Sequence, residues 1–318
     1  MRIEGSVTVI SWIPSEAIGG LSRLPFDLGT FHYDEPPPDD LSALGPDPIA
    51  ELGATDRFRV ANELKAWIDV EEGRIVGAEY VGGGRIGSTR LRFGPARWNV
   101  LATLLPDVQA EPVVDIDHVT FVQTAGGRTG VPFPRPVRHA PFVQYRAPIA
   151  WSTLRLVVHL DGRIEGELIG ASKFPRHWVY DAAGKLVAKS GTTASKNWAS
   201  HAFGKHTPWG DTDSPAFVTA AESALERQLS TQIMRGGATP RFAKVAKGKT
   251  LCEQGDPGAD VFLLLDGVLT VEVDGEQIAE VGPGAILGER AYLEAGTRTS
   301  TLRAHTPCRV AVASADQI

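Results

Sequence analysis

The chain has 318 residues, more than one compact core usually holds, since cores stop growing near ~250 to 300 residues and ordinary domains hold about 100 to 150. With 42% hydrophobic and 22% charged residues it has ample apolar surface to bury, which excludes dominance by disorder. A formal net charge of -6 gives no broad basic field for a phosphate backbone, so DNA and RNA binding are disfavoured.

Cys252 and Cys308 are the only cysteines and make no CxxC spacing, so neither a disulfide framework nor a thiolate zinc site is indicated. A reducing cytoplasm fits best. The N-terminus, MRIEGSVTVISWIP, lacks a basic start followed by a cleavable apolar segment, and no run reaches the ~18 apolar residues of a membrane span. The expectation is a cytoplasmic protein with no membrane span.

The pattern of the first two thirds is mainly β. KAWIDVEEGRIVGAEYV (65 to 81) has two strand-like runs around Glu71, Glu72 and Gly73, and LRLVVHLDGRIEGELIG (154 to 170) repeats the arrangement around Asp161-Gly162. A third hairpin is expected over HWVYDAAGKLVAKSG (177 to 191), turning near Ala183-Gly184. DEPPPDD (34 to 40) and VPFPRPVRHAP (131 to 141) are loops or edges, because proline donates no ladder hydrogen bond. No repeat at a fixed period argues for a propeller or solenoid. The region 1 to 213 is therefore expected to be an antiparallel β-sandwich or barrel-like domain with a few helices.

A helix joining two domains is expected over 214 to 237. Ser214 can cap it, Pro215 suits its first position, and Gly236-Gly237 ends it. Val218, Ala221, Leu225, Leu229 and Ile233 recur on one face. A packing role is the simpler reading; transmission of a ligand signal is the other.

From residue 238 the chain loses tryptophan and becomes rich in Val, Leu and Gly. Gly255-Asp256-Pro257-Gly258 is a tight connection, Val261 to Leu265 a buried strand, and Asp266-Gly267 a turn. Leu269, Val271 and Val273 alternate with Thr270 and Glu272, and Asp274-Gly275 is a two-residue hairpin signal. Many short strands with close turns indicate a β-roll or jelly roll.

Gly282-Pro283-Gly284 then leads into Gly288-Glu289-Arg290-Ala291 and on to Arg298-Thr299-Ser300-Thr301. This segment, over about 240 to 314, resembles the phosphate-binding cassette of the cyclic-nucleotide-binding domain family. The resemblance implies a β-roll that binds cAMP or cGMP, with no further cofactor and no metal. It implies Arg298 as the phosphate ligand, Glu289 as the ribose ligand, and Gly288, Arg290, Ala291, Thr299 and Ser300 around them. The chemistry is coherent: a cyclic nucleotide carries one phosphodiester charge, which suits arginine's planar fork. Backbone N–H groups after Gly288 add donors, and a carboxylate can accept from the ribose 2′-hydroxyl.

Thr297 stands where the family usually has proline, and Arg290 where it usually has an apolar residue. Family members also continue into helices, one of which covers the base, whereas this sequence stops at Ile318. The expectation is a roll without that lid, covered by the first domain or a second subunit, and without the helix-turn-helix of transcription-factor members.

Elsewhere the densest polar cluster is His177, His201, His206, Asp211 and Asp213. It is read first as hydrogen-bonded loop; a metal site or an acid-base pair are the alternatives. AGGRTGVPFPRPVR (125 to 138), with Arg128, Arg135 and Arg138, lacks the Lys-Ser or Lys-Thr of a P-loop. Gly82-Gly83-Gly84 before Arg85 reads as a turn or bulge, and the tryptophans as core anchors. The leading functional expectation is a non-catalytic regulatory protein controlled by cyclic nucleotide. The alternatives are an enzyme in the first domain regulated by the roll, and an assembly protein with a ligand-free roll.

Overall fold

A computed structural model describes residues 1–14, 24–30, 34–100, 102–130, 133–136, 140–173, 175–190, 207–209, 216, 218–221, 223–235, 240–289, 291 and 296–314. The chain is mainly β and its sheets are antiparallel. It divides into two compact units, with the boundary between Phe217 and Val218. Among the described residues no helix is long and apolar enough to cross a membrane.

The first unit is built on two antiparallel sheets. One runs in the order Leu186–Ser190, Arg176–Tyr180, Arg2–Trp12, Val60–Glu71, Arg74–Tyr80, with Gly83–Ile86 also paired to Val60–Glu71. The other runs Ile164–Ala171, Ile149–His159, His118–Arg128, with three two-residue strands along the last. Alternation decides the packing. Val7 and Val9 join Leu64, Ala66 and Ile68 against Phe121, Leu154, Leu156 and Val158 of the second sheet. Ile10 and Trp12, one residue out of phase, face the other way and pack with Trp178, Tyr180, Ile49 and Leu52. Helix Pro48–Ala54 closes that face, capped by Asp47, whose side chain accepts from the Ala50 N–H.

The expected hairpins form where backbone chemistry demands them. Val60–Glu71 pairs with Arg74–Tyr80 through Glu72 and Gly73, both at positive φ (50° and 74°), as a right-twisted two-residue turn requires. Ile149–His159 and Ile164–Ala171 turn at Gly162, and Arg176–Tyr180 and Leu186–Ser190 at Gly184. Of the proline-rich stretches, residues 34 to 38 make no strand, and Phe133–Pro136 forms a separate two-stranded ribbon with Val143–Arg146, in which every strand is an edge. Gly82 belongs to a close approach: a Cβ there would lie 2.0 Å from the Glu63 carbonyl oxygen. Trp12, Trp151 and Trp178 are buried, while Trp98 is exposed.

The second unit carries two four-stranded sheets, ordered Arg241–Val245, Cys308–Ala313, Val261–Asp266, Ile286–Leu287 and Thr250–Cys252, Thr301–Ala304, Leu269–Val273, Glu276–Val281. The run VFLLL does not alternate because both its faces are covered. Phe262 and Leu264 pack with Leu269, Leu302 and Val310, whereas Val261, Leu263 and Leu265 pack with Ile233 and Met234. Asp274 and Gly275 both take positive φ in the hairpin.

The helix differs from the expected one. It runs Ala224–Arg235, and Val218–Ala220 is a strand. Ser214 and Pro215, the expected start, lie outside the described residues, as do Gly236 and Gly237. The start is a reciprocal cap: Ser223 Oγ accepts from the Glu226 N–H (3.2 Å), and Glu226 Oε2 accepts from the Ser223 N–H (2.7 Å). Upstream, Thr219 packs so closely on Gly282 that a Cβ there would lie 2.5 Å from its Oγ1. Leu229, Ile233 and Met234 give the helix its apolar face.

Candidate functional site: a buried arginine in the C-terminal roll

Arg298 is held by a short backbone ladder. Its N–H donates to the Asp256 carbonyl and its own carbonyl accepts from the Gly255 N–H, both at 2.8 Å. Pro257 bridges Thr297, and the Gly258 N–H donates to the Gly296 carbonyl at 2.7 Å. Segments forty residues apart in sequence, on the order of a hairpin with its intervening strands, are thereby fixed side by side.

The guanidinium then folds into the roll. Arg298 is 6% exposed. Nη1 donates to the Asp260 carbonyl at 2.8 Å, and the guanidinium carbon stands 4.6 Å from the centre of the Phe262 ring. Two glycines make room for it. A Cβ on Gly258 would lie 2.9 Å from Nη2 and 3.0 Å from Nε. A Cβ on Gly288 would lie 2.6 Å from Nη1 and 2.9 Å from the Asp260 carbonyl, at a residue whose φ is +85°. Gly288→Ala therefore meets both a left-handed backbone and the guanidinium. It should destabilise the second unit by more than about 1 kcal/mol, read as a lowered denaturant midpoint; an unchanged midpoint would remove Gly288 from the cradle.

No carboxylate of the described residues lies within 4 Å of the Arg298 guanidinium; the Asp260 side chain points to Arg241 at 3.7 Å. A buried cation with a carbonyl and a ring for company carries a desolvated charge, which is costly without a counter-charge. Its field reaches the neighbouring thiol: burial pushes Cys252 up, and the Arg298 charge opposes that shift. The Cys252 sulfur approaches the Ser300 carbonyl at 3.9 Å.

Glu289 is exposed and helical, Ala291 is buried and helical, Thr299 is exposed, and Ser300 is half-buried. Arg290 lies outside the described residues. The sequence reading missed the roles of Gly258, the Asp260 carbonyl and Phe262. Gly258 was visible as a turn residue, but its packing on a guanidinium forty or so positions away leaves no local signal.

Residues 242–318 match the family model of the cyclic nucleotide-binding domain. The matched segment includes Arg298, Gly258, Asp260, Phe262 and Gly288. No curated protein matches the chain. Among solved structures, the chain is similar to a cyclic nucleotide-binding domain from Methylobacillus flagellatus KT, at 27% identity over 31% of this chain and 55% of that one, with a TM-score of 0.25. It is similar to the cAMP-bound form of the EAL enzyme Bd1971, at 25% identity over 24% of this chain and 22% of that one (TM-score 0.23). It is also similar to the N-terminal domain of a transcriptional regulator from Streptomyces coelicolor A3(2), at 25% identity over 30% and 65% of the two chains (TM-score 0.23). The chain thus spans about half of the Methylobacillus chain and under a quarter of the Bd1971 chain.

In the first unit, His201, His206, Asp211 and Asp213 lie outside the described residues. His177 is a core residue. Its Nδ1 accepts from Ser11 Oγ at 2.7 Å and its Nε2 donates to the Ser172 carbonyl at 2.7 Å. Burial pushes it down to about 4. The unfolded chain protonates this ring near pH 6.5 and the folded one near 4, so its contribution is full above about pH 6.5 and is lost as pH falls toward 4. The expected slope is about 1.4 kcal/mol per pH unit in that window. Urea midpoints at stepped pH should show the slope in the parent and lose it in His177→Gln; an identical slope in both would refute the assignment.

Arg128 donates to the Ala147 carbonyl at 3.0 Å, and Gly126 and Gly127 lie within strand His118–Arg128, where added Cβ atoms would meet neighbouring backbone. The side chain of Arg135 and all of Arg138 lie outside the described residues. Arg85 pairs with Asp47 at 2.8 Å.

Proposed function

We propose that the C-terminal domain binds cAMP or cGMP, and that the protein is a non-catalytic regulator acting in the cytoplasm, with the β-rich first unit as the effector. The observation that carries this reading is Arg298: a cation 6% exposed, cradled by two glycines, with no carboxylate of the described residues against it. A cyclic phosphodiester supplies one compact negative charge spread over two exocyclic oxygens, one axial and one equatorial. The Nη2 and Nε edge of the guanidinium, with no hydrogen bond to another described residue, matches that pair.

In this reading Glu289, exposed beside Gly288, accepts a hydrogen bond from the ribose 2′-hydroxyl. Thr299 and Ser300 offer hydroxyl donors to the phosphate, and Gly288, Arg290 and Ala291 shape the backbone around it. Ligand binding neutralises a charge whose backbone is tied to Asp256 and whose guanidinium rests on Phe262. Phe262 belongs to the strand whose opposite face carries helix Ala224–Arg235, and through that strand the ligand signal leaves the pocket.

A thermal melt of the full chain tests the proposal. With cAMP or cGMP at about 100 times the dissociation constant, the second unit gains about 2.7 kcal/mol by mass action. Linear 5′-AMP, a bulkier dianion, should give less. No shift with either cyclic nucleotide at millimolar concentration, or the same shift with 5′-AMP, would sink it. The Glu289→Gln variant should lose the preference for the ribo over the 2′-deoxy ligand; a preserved preference would move the ribose contact elsewhere.

A further inference from the structure

Asp117, His118 and His159 sit at one end of the second sheet of the first unit. His118 and His159 are Cα partners across the antiparallel pair of His118–Arg128 with Ile149–His159. The pleat therefore sends both imidazoles to the same face, with ring centroids 5.3 Å apart and planes tilted by 37°. Asp117 Oδ1 is 2.8 Å from His118 Nδ1. One ligand atom from each of the three side chains lies within 4.8 Å of the other two.

A second observation points the same way. The His159 side chain is 11% exposed, and its Nε2 is buried without a hydrogen-bond partner. Glu165 Oε1 stands 3.4 Å from it. A buried ring nitrogen left unsatisfied costs about 1–3 kcal/mol, which a bound cation would remove.

We propose that Asp117, His118 and His159 form a binding site for a divalent transition-metal cation, zinc(II) in particular. Two imidazoles with one carboxylate favour a borderline cation over magnesium or calcium, which take all-oxygen shells. Around a tetrahedral zinc with bonds of about 2.0–2.1 Å, neighbouring donors stand roughly 3.4 Å apart, so the three groups need only a small closure. Asp117 is exposed and can move; Glu165 or water completes the shell. Arg163 is the competitor. Its Nη2 lies 3.3 Å from His159 Nδ1 and its Nη1 pairs with the Glu165 carboxylate, but its side chain is 59% exposed and can swing into solvent. The ion would tie the start of one strand to the end of its neighbour beside the Asp161-Gly162 turn.

Titration of the full chain with zinc chloride, followed by calorimetry and by the visible absorption of a cobalt(II) replacement, tests this. The expected results are one zinc per chain at this site, no competition from magnesium, and a tetrahedral cobalt spectrum. Either His118→Gln or His159→Gln should weaken zinc by about 100-fold or more, beyond the 10- to 100-fold typical of lost outer-shell partners. Arg163→Gln should tighten it several-fold by removing a like charge. Melting curves without metal establish that the variants fold. Failure to bind below millimolar zinc would overturn the proposal. So would undiminished affinity in the His118→Gln, His159→Gln double variant together with loss in the His201→Gln, His206→Gln pair, since the ion would then be held elsewhere.

Discussion

Replacing Arg298 by alanine is expected to lower cyclic-nucleotide affinity by about 100-fold or more. Removing one partner of a desolvated, hydrogen-bonded charge pair costs about 2–5 kcal/mol, and each 1.4 kcal/mol is about tenfold in affinity. Lysine at the same position keeps the charge but loses the fork, so its affinity should fall between parent and alanine. The direction of the stability change separates a ligand-binding arginine from a structural one. Arg298 has a carbonyl and a ring but no described carboxylate as company, so the unliganded Arg298→Ala protein should melt within about 1 kcal/mol of the parent. Equilibrium binding at fixed ionic strength, with apo melting curves alongside, reads both quantities. A variant several kcal/mol less stable without ligand would mean that the guanidinium serves the fold.

Arg59→Leu should show the opposite behaviour. Its guanidinium is buried between two buried carboxylates: Nη2 reaches Asp34 Oδ1 and Asp56 Oδ1, both at 2.8 Å, and Nε reaches Asp34 Oδ2 at 3.1 Å. Nη1 donates to the Ser88 carbonyl at 2.6 Å and to Thr89 Oγ1 at 2.9 Å. Burial alone would pull the Arg59 pKa down, but the charges of Asp34 and Asp56 and their hydrogen bonds outweigh it and hold it above the ordinary value. Leucine would strand two carboxylates in the interior at a cost of about 3–5 kcal/mol. For a unit of this size that is a fall of roughly 10 °C in melting temperature. Adding Asp34→Asn and Asp56→Asn to the leucine variant should restore part of the loss. Urea unfolding followed by tryptophan fluorescence measures it, because the tryptophans lie in the first two thirds of the sequence; a loss under 1 kcal/mol would show that the triad is dispensable.

What could be read from the sequence was what local chemistry dictates. Glu72-Gly73 and Asp274-Gly275 were legible as hairpins because a two-residue turn requires positive φ at both positions. Val261 to Leu265 was legible as a buried strand, and the structure adds that both its faces are covered. The start of the helix was misplaced for a local reason too: Ser214-Pro215 is a fair start signal, but Ser223 and Glu226 form a complete reciprocal cap. Gly288 and Arg298 were singled out because both fall in the short segment that resembles a phosphate-binding cassette, and the structure packs Gly288 against the Arg298 guanidinium.

Contacts between distant segments were not legible. Gly258 and Phe262 meet Arg298 only through the ladder that joins residues 255–258 to 296–298. His177 was grouped with His201 and His206 by nearness in sequence, whereas its partner Ser11 is 166 positions away across the sheet. Nothing local in the sequence marks Arg59, Asp34 and Asp56 as a buried set. The pairing of His118 with His159 likewise depends on strand register, which sequence alone leaves open.

The central claim, that Arg298 marks an anion site for a cyclic nucleotide, is tested most directly by isothermal titration of the full chain with cAMP and with cGMP. The account predicts one saturable site per chain for at least one of them, weakened by about 100-fold or more in Arg298→Ala. No heat from either nucleotide up to millimolar concentration, or equal binding by the parent and Arg298→Ala, would contradict it.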